Sequence, residues 1–122
     1  MGKKILVIDD EPDMRLLIER VLSRKGFDIT TVAYAPDAVN LVEKDSFFLL
    51  ITDLTMPEMN GLDLIKQVRQ AGFNGKFIII TGLPTDDAMR DAREQGASDF
   101  LIKPLNMHDL ENAVSRAICS ID

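Results

Sequence analysis

The sequence predicts an α/β fold, a (βα)5 chain wound into a five-stranded parallel sheet with helices on both faces. Three observations predict it. Short continuous apolar runs, rich in Ile and Val, recur along the chain and read as strands buried on both faces. Stretches with apolar residues at helical spacing alternate with them, each opened by a capping residue or Pro and most closed by Gly. The connections are short, and strands alternating with amphipathic helices imply right-handed crossovers and a parallel sheet. Five units are too few for a barrel of eight.

Ile5 to Ile8 is the first strand. Asp10-Glu11-Pro12 starts a helix, with acids in the cap region and Pro near the first helical position. Its stripe is Met14, Leu17, Ile18, Val21 and Leu22, and Gly26 stops it. Phe27 to Ala33 alternates as a second strand. Pro36 opens a second helix with Ala38, Val39, Leu41 and Val42 facing inward. Phe47 to Thr52 is the third strand. Asn60 caps a helix carrying Leu62, Ile65, Val68 and Ala71, closed by Gly72. Phe77 to Ile80 is the fourth strand. Thr85 caps a fourth helix with a thin apolar face of Ala88, Met89 and Ala92, ended by Gly96. Ser98 to Ile102 is the fifth strand, and Asn106 caps a last helix with Leu110, Ala113, Val114, Ala117 and Ile118.

A chain of 122 residues that is 46% hydrophobic forms one domain with a true core. Its net charge of −6 argues against a dedicated nucleic-acid binder and against a basic membrane patch. The one cysteine, Cys119, excludes an intrachain disulfide and a cysteine-based zinc site, in keeping with a reducing cytoplasm. The four apolar residues before Asp9 are too few for a signal peptide or a membrane span. Met1-Gly2 is not a myristoylation signal, because Leu6 stands where Ser or Thr is needed.

The chemistry gathers at the strand ends. Asp9 and Asp10 follow the first strand, Asp53 the third, Thr81 and Gly82 the fourth, Lys103 and Pro104 the fifth. A parallel sheet puts all these ends on one edge, with neighbouring strands about 4.8 Å apart, and such sheets bind ligands there. If the first, third and fourth strands are neighbours, three carboxylates and the Thr81 hydroxyl converge, with Lys103 within reach. Carboxylates about 4–5 Å apart repel by a few kcal/mol per pair at an effective dielectric constant near 20. Without a cation, at least one has a raised pKa. Lys103 offsets one charge, and a hard divalent ion such as Mg²⁺ suits the rest. The cluster reads as a metal-assisted phosphoryl site with a carboxylate as nucleophile. Lys103, the Thr81 hydroxyl and backbone N–H groups near Thr55 and Gly82 can serve the equatorial oxygens, and Gly82 has no side chain to block approach. No Walker-type glycine loop is present, so the phosphate comes from another molecule.

The motifs Ile8-Asp9-Asp10-Glu11-Pro12, Asp53-Leu54-Thr55-Met56-Pro57-Glu58-Met59-Asn60-Gly61, Thr81-Gly82 and Lys103-Pro104, in order at matching strand ends, resemble the response-regulator receiver domains, the CheY-like family of two-component signalling. The resemblance covers essentially the whole chain, as a single receiver domain over residues 1–122. It implies a flavodoxin-like sheet of order 2-1-3-4-5. It implies that Asp53 accepts phosphate from a phosphohistidine on a histidine kinase or phosphotransfer protein. Asp10, Asp53 and the Thr55 carbonyl would hold Mg²⁺, with Asp9 acting through water. Lys103, after a cis Lys103–Pro104 bond, would contact the phosphoryl group. Thr81 would swing toward it, and Phe100 would take the aromatic switch position. The surface from the fourth helix through the fifth strand to the last helix would change and meet partners, with dimerisation on phosphorylation among the outcomes.

The same resemblance implies a cytoplasmic phosphoprotein of a two-component system or phosphorelay that catalyses only its own phosphorylation and dephosphorylation. No output domain follows the last helix, and Ser120-Ile121-Asp122 leaves open a free-standing receiver or a segment of a longer regulator. Phe100 stands where Tyr is frequent, and Leu83-Pro84 is an unusual loop. Thr55 and Leu83 border the path of an attacking water, which leaves the phosphate lifetime open.

Blander readings exist for each residue. Asp9 and Asp10 alone are helix-cap acids. Thr81 alone is a strand-end hydroxyl bonded to backbone, Lys103 a surface lysine, Phe100 core packing. His108 is expected to be exposed and inert, Cys119 a passive thiol, and Met56 and Met59 gap fillers. Three rival functions compete. A haloacid-dehalogenase-type phosphatase wants Asp-x-Asp-x-Thr after the first strand, which this chain lacks. A flavin module wants a phosphate-binding glycine loop where this chain has acids. A phosphorylation-independent interaction domain would not need the full acid set.

Overall fold

A computed structural model describes residues 3–57 and 59–119. The readings at Met1-Gly2, at Glu58 and at Ser120–Asp122 therefore lie outside the described residues. The elements alternate as the apolar runs and helical stripes demand: β1 (Lys4–Ile8), α1 (Pro12–Arg24), β2 (Asp28–Val32), α2 (Ala35–Lys44), β3 (Leu49–Asp53), α3 (Gly61–Gln70), β4 (Lys76–Thr81), α4 (Asp86–Glu94), β5 (Asp99–Ile102) and α5 (Met107–Cys119). All pairings are parallel, in the order β2-β1-β3-β4-β5. The fold expected from the sequence is the fold observed.

Side-chain alternation divides the core in two. Leu6, Ile8, Leu50, Phe77 and Ile79 pack with α2 and α3 and with Ala92 of α4. Ile5, Val7, Leu49, Ile51, Ile78 and Ile80 pack with α1 and α5. The central strands are therefore apolar on both sides, as a doubly covered sheet requires.

The caps are where the residue types put them. The Asn60 side chain accepts from the Leu62 N–H at 2.7 Å, that of Thr85 from Ala88 at 3.1 Å, and that of Asn106 from His108 at 2.7 Å. Gly26, Gly72 and Gly96 end α1, α3 and α4 with positive φ. Two expectations need correction. Leu17 does not join the buried stripe of α1; it is exposed, and Ile18 and Leu22 carry the packing. Leu64, left out of the expected face of α3, is fully buried. His108 and Cys119 are exposed and Met56 is buried. Among the described residues no helix is long and apolar enough to cross a membrane.

Candidate functional site

The register builds the site. Ile8 pairs with Thr52, so the next residues out, Asp9 and Asp53, stand side by side at the edge. Asp53 pairs with Ile80, which puts Thr81 one residue further out. Thr81 pairs with Ile102, just before Lys103. Asp53 continues the Leu49–Ile51 alternation and Asp9 that of Ile5 and Val7, so both belong to the α1/α5 side. Thr81 continues the Phe77–Ile79 alternation on the other side, where Phe100 packs half-buried.

One carboxylate oxygen each from Asp9, Asp10 and Asp53 lie within 4.8 Å of one another. Asp53 and Asp9 are buried and Asp10 is exposed. Lys103 reaches in from the end of β5, and its bond to the following Pro104 is cis. Its Nζ donates to Asp53 Oδ2 at 2.8 Å and to Glu11 Oε1 at 2.5 Å, and lies 3.5 Å from Asp9 Oδ2. Burial alone would lower the Lys103 pKa, but the hydrogen bonds to Asp53 and Glu11 and the Asp9 charge outweigh it and raise the value well above that of an ordinary lysine.

Burial also raises the Asp9 carboxyl above the usual range, against the Glu11 N–H bond and the Lys103 charge that lower it. The sequence predicts a raised carboxyl here from crowding; the direction agrees, but burial is the main cause and the Asp53 and Glu11 charges add less. Asp9 Oδ1 accepts from the Glu11 N–H at 2.9 Å, so Asp9 does the helix-start work as well. Its Oδ2 is buried without a hydrogen bond. A bare buried oxygen facing two further carboxylates is a hard-oxygen donor set, and it fits a divalent cation.

The loop after Asp53 holds the backbone of the site. Asp53 Oδ1 accepts from the Thr55 N–H at 3.1 Å. Thr55 and Asn60 form a β-bridge, and the Gly61 N–H donates to the Leu54 carbonyl at 2.7 Å. A Cβ on Gly61 would overlap the Asp53 carbonyl oxygen, so only glycine lets the loop close this tightly. Gly82 differs: a Cβ there would meet only Lys103, at 3.8 Å or more. The fold itself does not require glycine at that position.

Of the residues named from sequence, Asp9, Asp10, Asp53 and Lys103 come together. The Thr81 hydroxyl does not join their hydrogen bonds; it accepts from the Leu83 N–H at 3.1 Å. In the sequence Glu11 belongs to a helix start and to the first motif, with no site role, yet it is a direct partner of Lys103. An acid one residue past the Asp9-Asp10 pair was the available signal, but the contact spans 92 positions and needs the fold to be seen.

A doubly wound sheet that gathers acids and one lysine at its carboxyl edge has the chemistry to hold a divalent cation or a phosphoryl group. The family described as response regulator receiver domain matches residues 5–115, and the chain belongs to it. Among curated relatives, Chemotaxis protein CheY of Bacillus subtilis (strain 168) is 31% identical over 121 residues, covering 97% of this chain and 99% of that protein. Response regulator protein PilR of Pseudomonas aeruginosa is 34% identical over 95% of this chain, which spans only 26% of PilR. A receiver domain structure from Clostridium thermocellum is 30% identical with a TM-score of 0.86, covering 96% of this chain and 94% of that one. The chain is thus a receiver domain, a phosphorylation-dependent switch of two-component signalling rather than a classical enzyme.

Proposed function

We propose that Asp53 is the phosphoacceptor and that the donor is a phosphohistidine on a histidine kinase or phosphotransfer protein. The observation that carries this reading is the buried Asp53 carboxylate joined to Lys103 at 2.8 Å beside the bare Asp9 oxygen. An Asp53 oxygen attacks the phosphorus. The bond from phosphorus to the imidazole nitrogen breaks, and the imidazole keeps the electron pair.

Asp10, Asp53 and the Thr55 carbonyl would hold Mg²⁺, and Asp9 would act on it through water. When bound, the ion supplies the positive charge that offsets the carboxylates and the transferring oxygens. Lys103 holds one phosphoryl oxygen. The Thr81 hydroxyl and the backbone at Thr55 and Gly82 take others.

Movement of Thr81, followed by Phe100, then changes the surface formed by α4, β5 and α5. Through that surface the domain controls a partner protein or an attached output domain in the cytoplasm, without itself binding nucleic acid; dimerisation on phosphorylation is one form this takes. The thin packing of α4 supports the reading, since Ala92 is its only fully buried residue among those described.

The test is incubation with Mg²⁺ and acetyl phosphate, followed by intact mass. An acid-stable, base-labile phosphate is expected, absent in Asp53→Asn, and Asp10→Ala should lose Mg²⁺ binding. An unchanged mass, or Asp53→Asn that labels as well as wild type, refutes the assignment.

A further inference from the structure

Lys103 is shared among three carboxylates arranged from inside to outside. The side chains of Asp9 and Asp53 are 2% and 7% exposed, that of Lys103 is 17% exposed, and that of Glu11 is 59% exposed. Of the three carboxylates on the lysine, Glu11 is the one most open to solvent. Glu11 Oε1 lies at 2.5 Å from Nζ, the shortest of the three contacts.

The Glu11 side chain has no other structural task in view. Glu11 is the N-cap residue of α1, but its side chain makes no capping bond, and its N–H is satisfied by Asp9. A side chain that is mostly exposed and held by one ion pair is easily displaced. Asp53 and Glu11 take two of the three N–H donors of the Lys103 ammonium and the Asp9 carboxylate stands 3.5 Å away, so a phosphoryl oxygen that binds Lys103 shares it with carboxylates already there. Glu11 also places a negative charge beside the lysine, which repels a dianionic phosphodonor drawn to it.

We propose that Glu11 is a positioning residue that holds Lys103 from the solvent side and competes for it with an incoming phosphodonor, so that it raises the donor concentration needed to phosphorylate Asp53. This rests on the reading of Asp53 as phosphoacceptor. In the transfer from acetyl phosphate, an Asp53 oxygen bonds to phosphorus while the phosphorus–oxygen bond to the acetyl group breaks. Acetate leaves with the electron pair, and Glu11 forms no covalent bond.

The experiment compares wild type with Glu11→Gln in the full chain, at saturating Mg²⁺. The initial rate of labelling is followed by intact mass as acetyl phosphate is varied. Glu11→Gln should lower the half-saturating acetyl phosphate by about two- to five-fold, the range for a partly exposed ion pair, with little change in the maximal rate. Mg²⁺ affinity without donor, measured by calorimetry, should change by less than about threefold, since Glu11 acts on Lys103 rather than on the metal. Urea unfolding establishes that the variant is folded. An unchanged or raised half-saturating concentration overturns the proposal, and so does a large loss of Mg²⁺ affinity, which would make Glu11 a metal ligand. A wild-type protein that does not label refutes the Asp53 assignment instead, so the two failures are distinguishable.

Discussion

Gly61→Ala should separate the loop's role from general stability. An added Cβ would overlap the Asp53 carbonyl oxygen and sit 3.1 Å from Leu54 Cα and 3.2 Å from the Asp53 carbonyl carbon. These are backbone atoms, so no side chain can turn aside. Among the described glycines positive φ is confined to Gly26, Gly72 and Gly96, so the penalty at Gly61 is steric, not torsional. Overpacking of this kind costs about 1–3 kcal/mol. The stiffer unfolded chain returns about 0.4–1 kcal/mol. At the middle of both ranges a net loss of about 1.3 kcal/mol remains. With an unfolding entropy of about 2.1 cal/mol/K per residue, a chain of this length shifts by about 4 °C per kcal/mol, so Tm should fall by about 5 °C.

Two further glycines make this a controlled comparison. A Cβ on Gly75 would overlap the Phe48 carbonyl oxygen, at the opposite edge of the sheet. Gly75→Ala should lose similar stability yet label at the wild-type rate while folded. Gly61→Ala moves the Asp53–Thr55 backbone, so its labelling rate should fall about tenfold or more. Gly82→Ala should unfold within about 0.5 kcal/mol of wild type, since its Cβ makes only ordinary contact with Lys103. Urea unfolding and timed acetyl phosphate labelling give both readouts. If Gly61→Ala unfolds like wild type, or labels like Gly75→Ala, the claim that this loop holds the site is wrong.

Other variants probe the charges and α4. Lys103→Met leaves Asp53 and Asp9 buried without their cation and should destabilise the metal-free protein by about 2–3 kcal/mol in urea, somewhat below a fully buried pair because the site is open. The Lys103 pKa is raised, so its contribution is present below the unfolded value of 10.5 and lost as pH rises through the folded value; Lys103→Met should remove that alkaline loss. The Asp9 pKa is also raised, so this carboxyl favours the folded state below its unfolded value of 3.8 and loses that contribution as pH rises through the folded value. In chelator, Asp9→Asn should therefore gain stability relative to wild type at neutral pH and lose the advantage in acid; a variant less stable at neutral pH would contradict this. Hydrogen exchange should find α4 less protected than α1, and equal protection would count against α4 as a moving element.

The strand-end residues were legible because a parallel sheet converts sequence order into a shared edge, whatever the side chains do. The caps Asn60, Thr85 and Asn106 were legible because each signal is local. The faces of α1 were less so. Leu16, Leu17 and Ile18 are consecutive, and a run of apolar residues contains no periodicity to say which one turns inward; packing selects Ile18. Adjacent Asp9 and Asp10 are equally acidic, yet one is buried and the other exposed. Alternation does not tell them apart, since Leu6 and Ile8 are as buried as Ile5 and Val7; Asp9 follows the last paired residue of β1 and Asp10 stands one residue further out. The Glu11–Lys103 pair was not legible either, since it depends on where two loops meet.

In the proposed switch, the position of Thr81 limits what its movement can contribute. Its hydroxyl accepts from the Leu83 N–H and stands on the alternation opposite to Asp53. A turn toward a phosphoryl oxygen gives up one neutral hydrogen bond, about 1 kcal/mol net, for one to a charged group at about 1.5–3 kcal/mol. The gain is about 1 kcal/mol, roughly a fivefold shift between two arrangements. Moving a population from 1:99 to 99:1 takes about 5.5 kcal/mol. Thr81 alone therefore cannot drive a switch that starts far to one side. Either Lys103 and the Thr55 and Gly82 backbone contribute most of the difference, or the two arrangements lie close in energy before phosphorylation. The structure favours the second: α4 has one fully buried anchor, and Leu83 beside Thr81 is 75% exposed, so little packing opposes the movement.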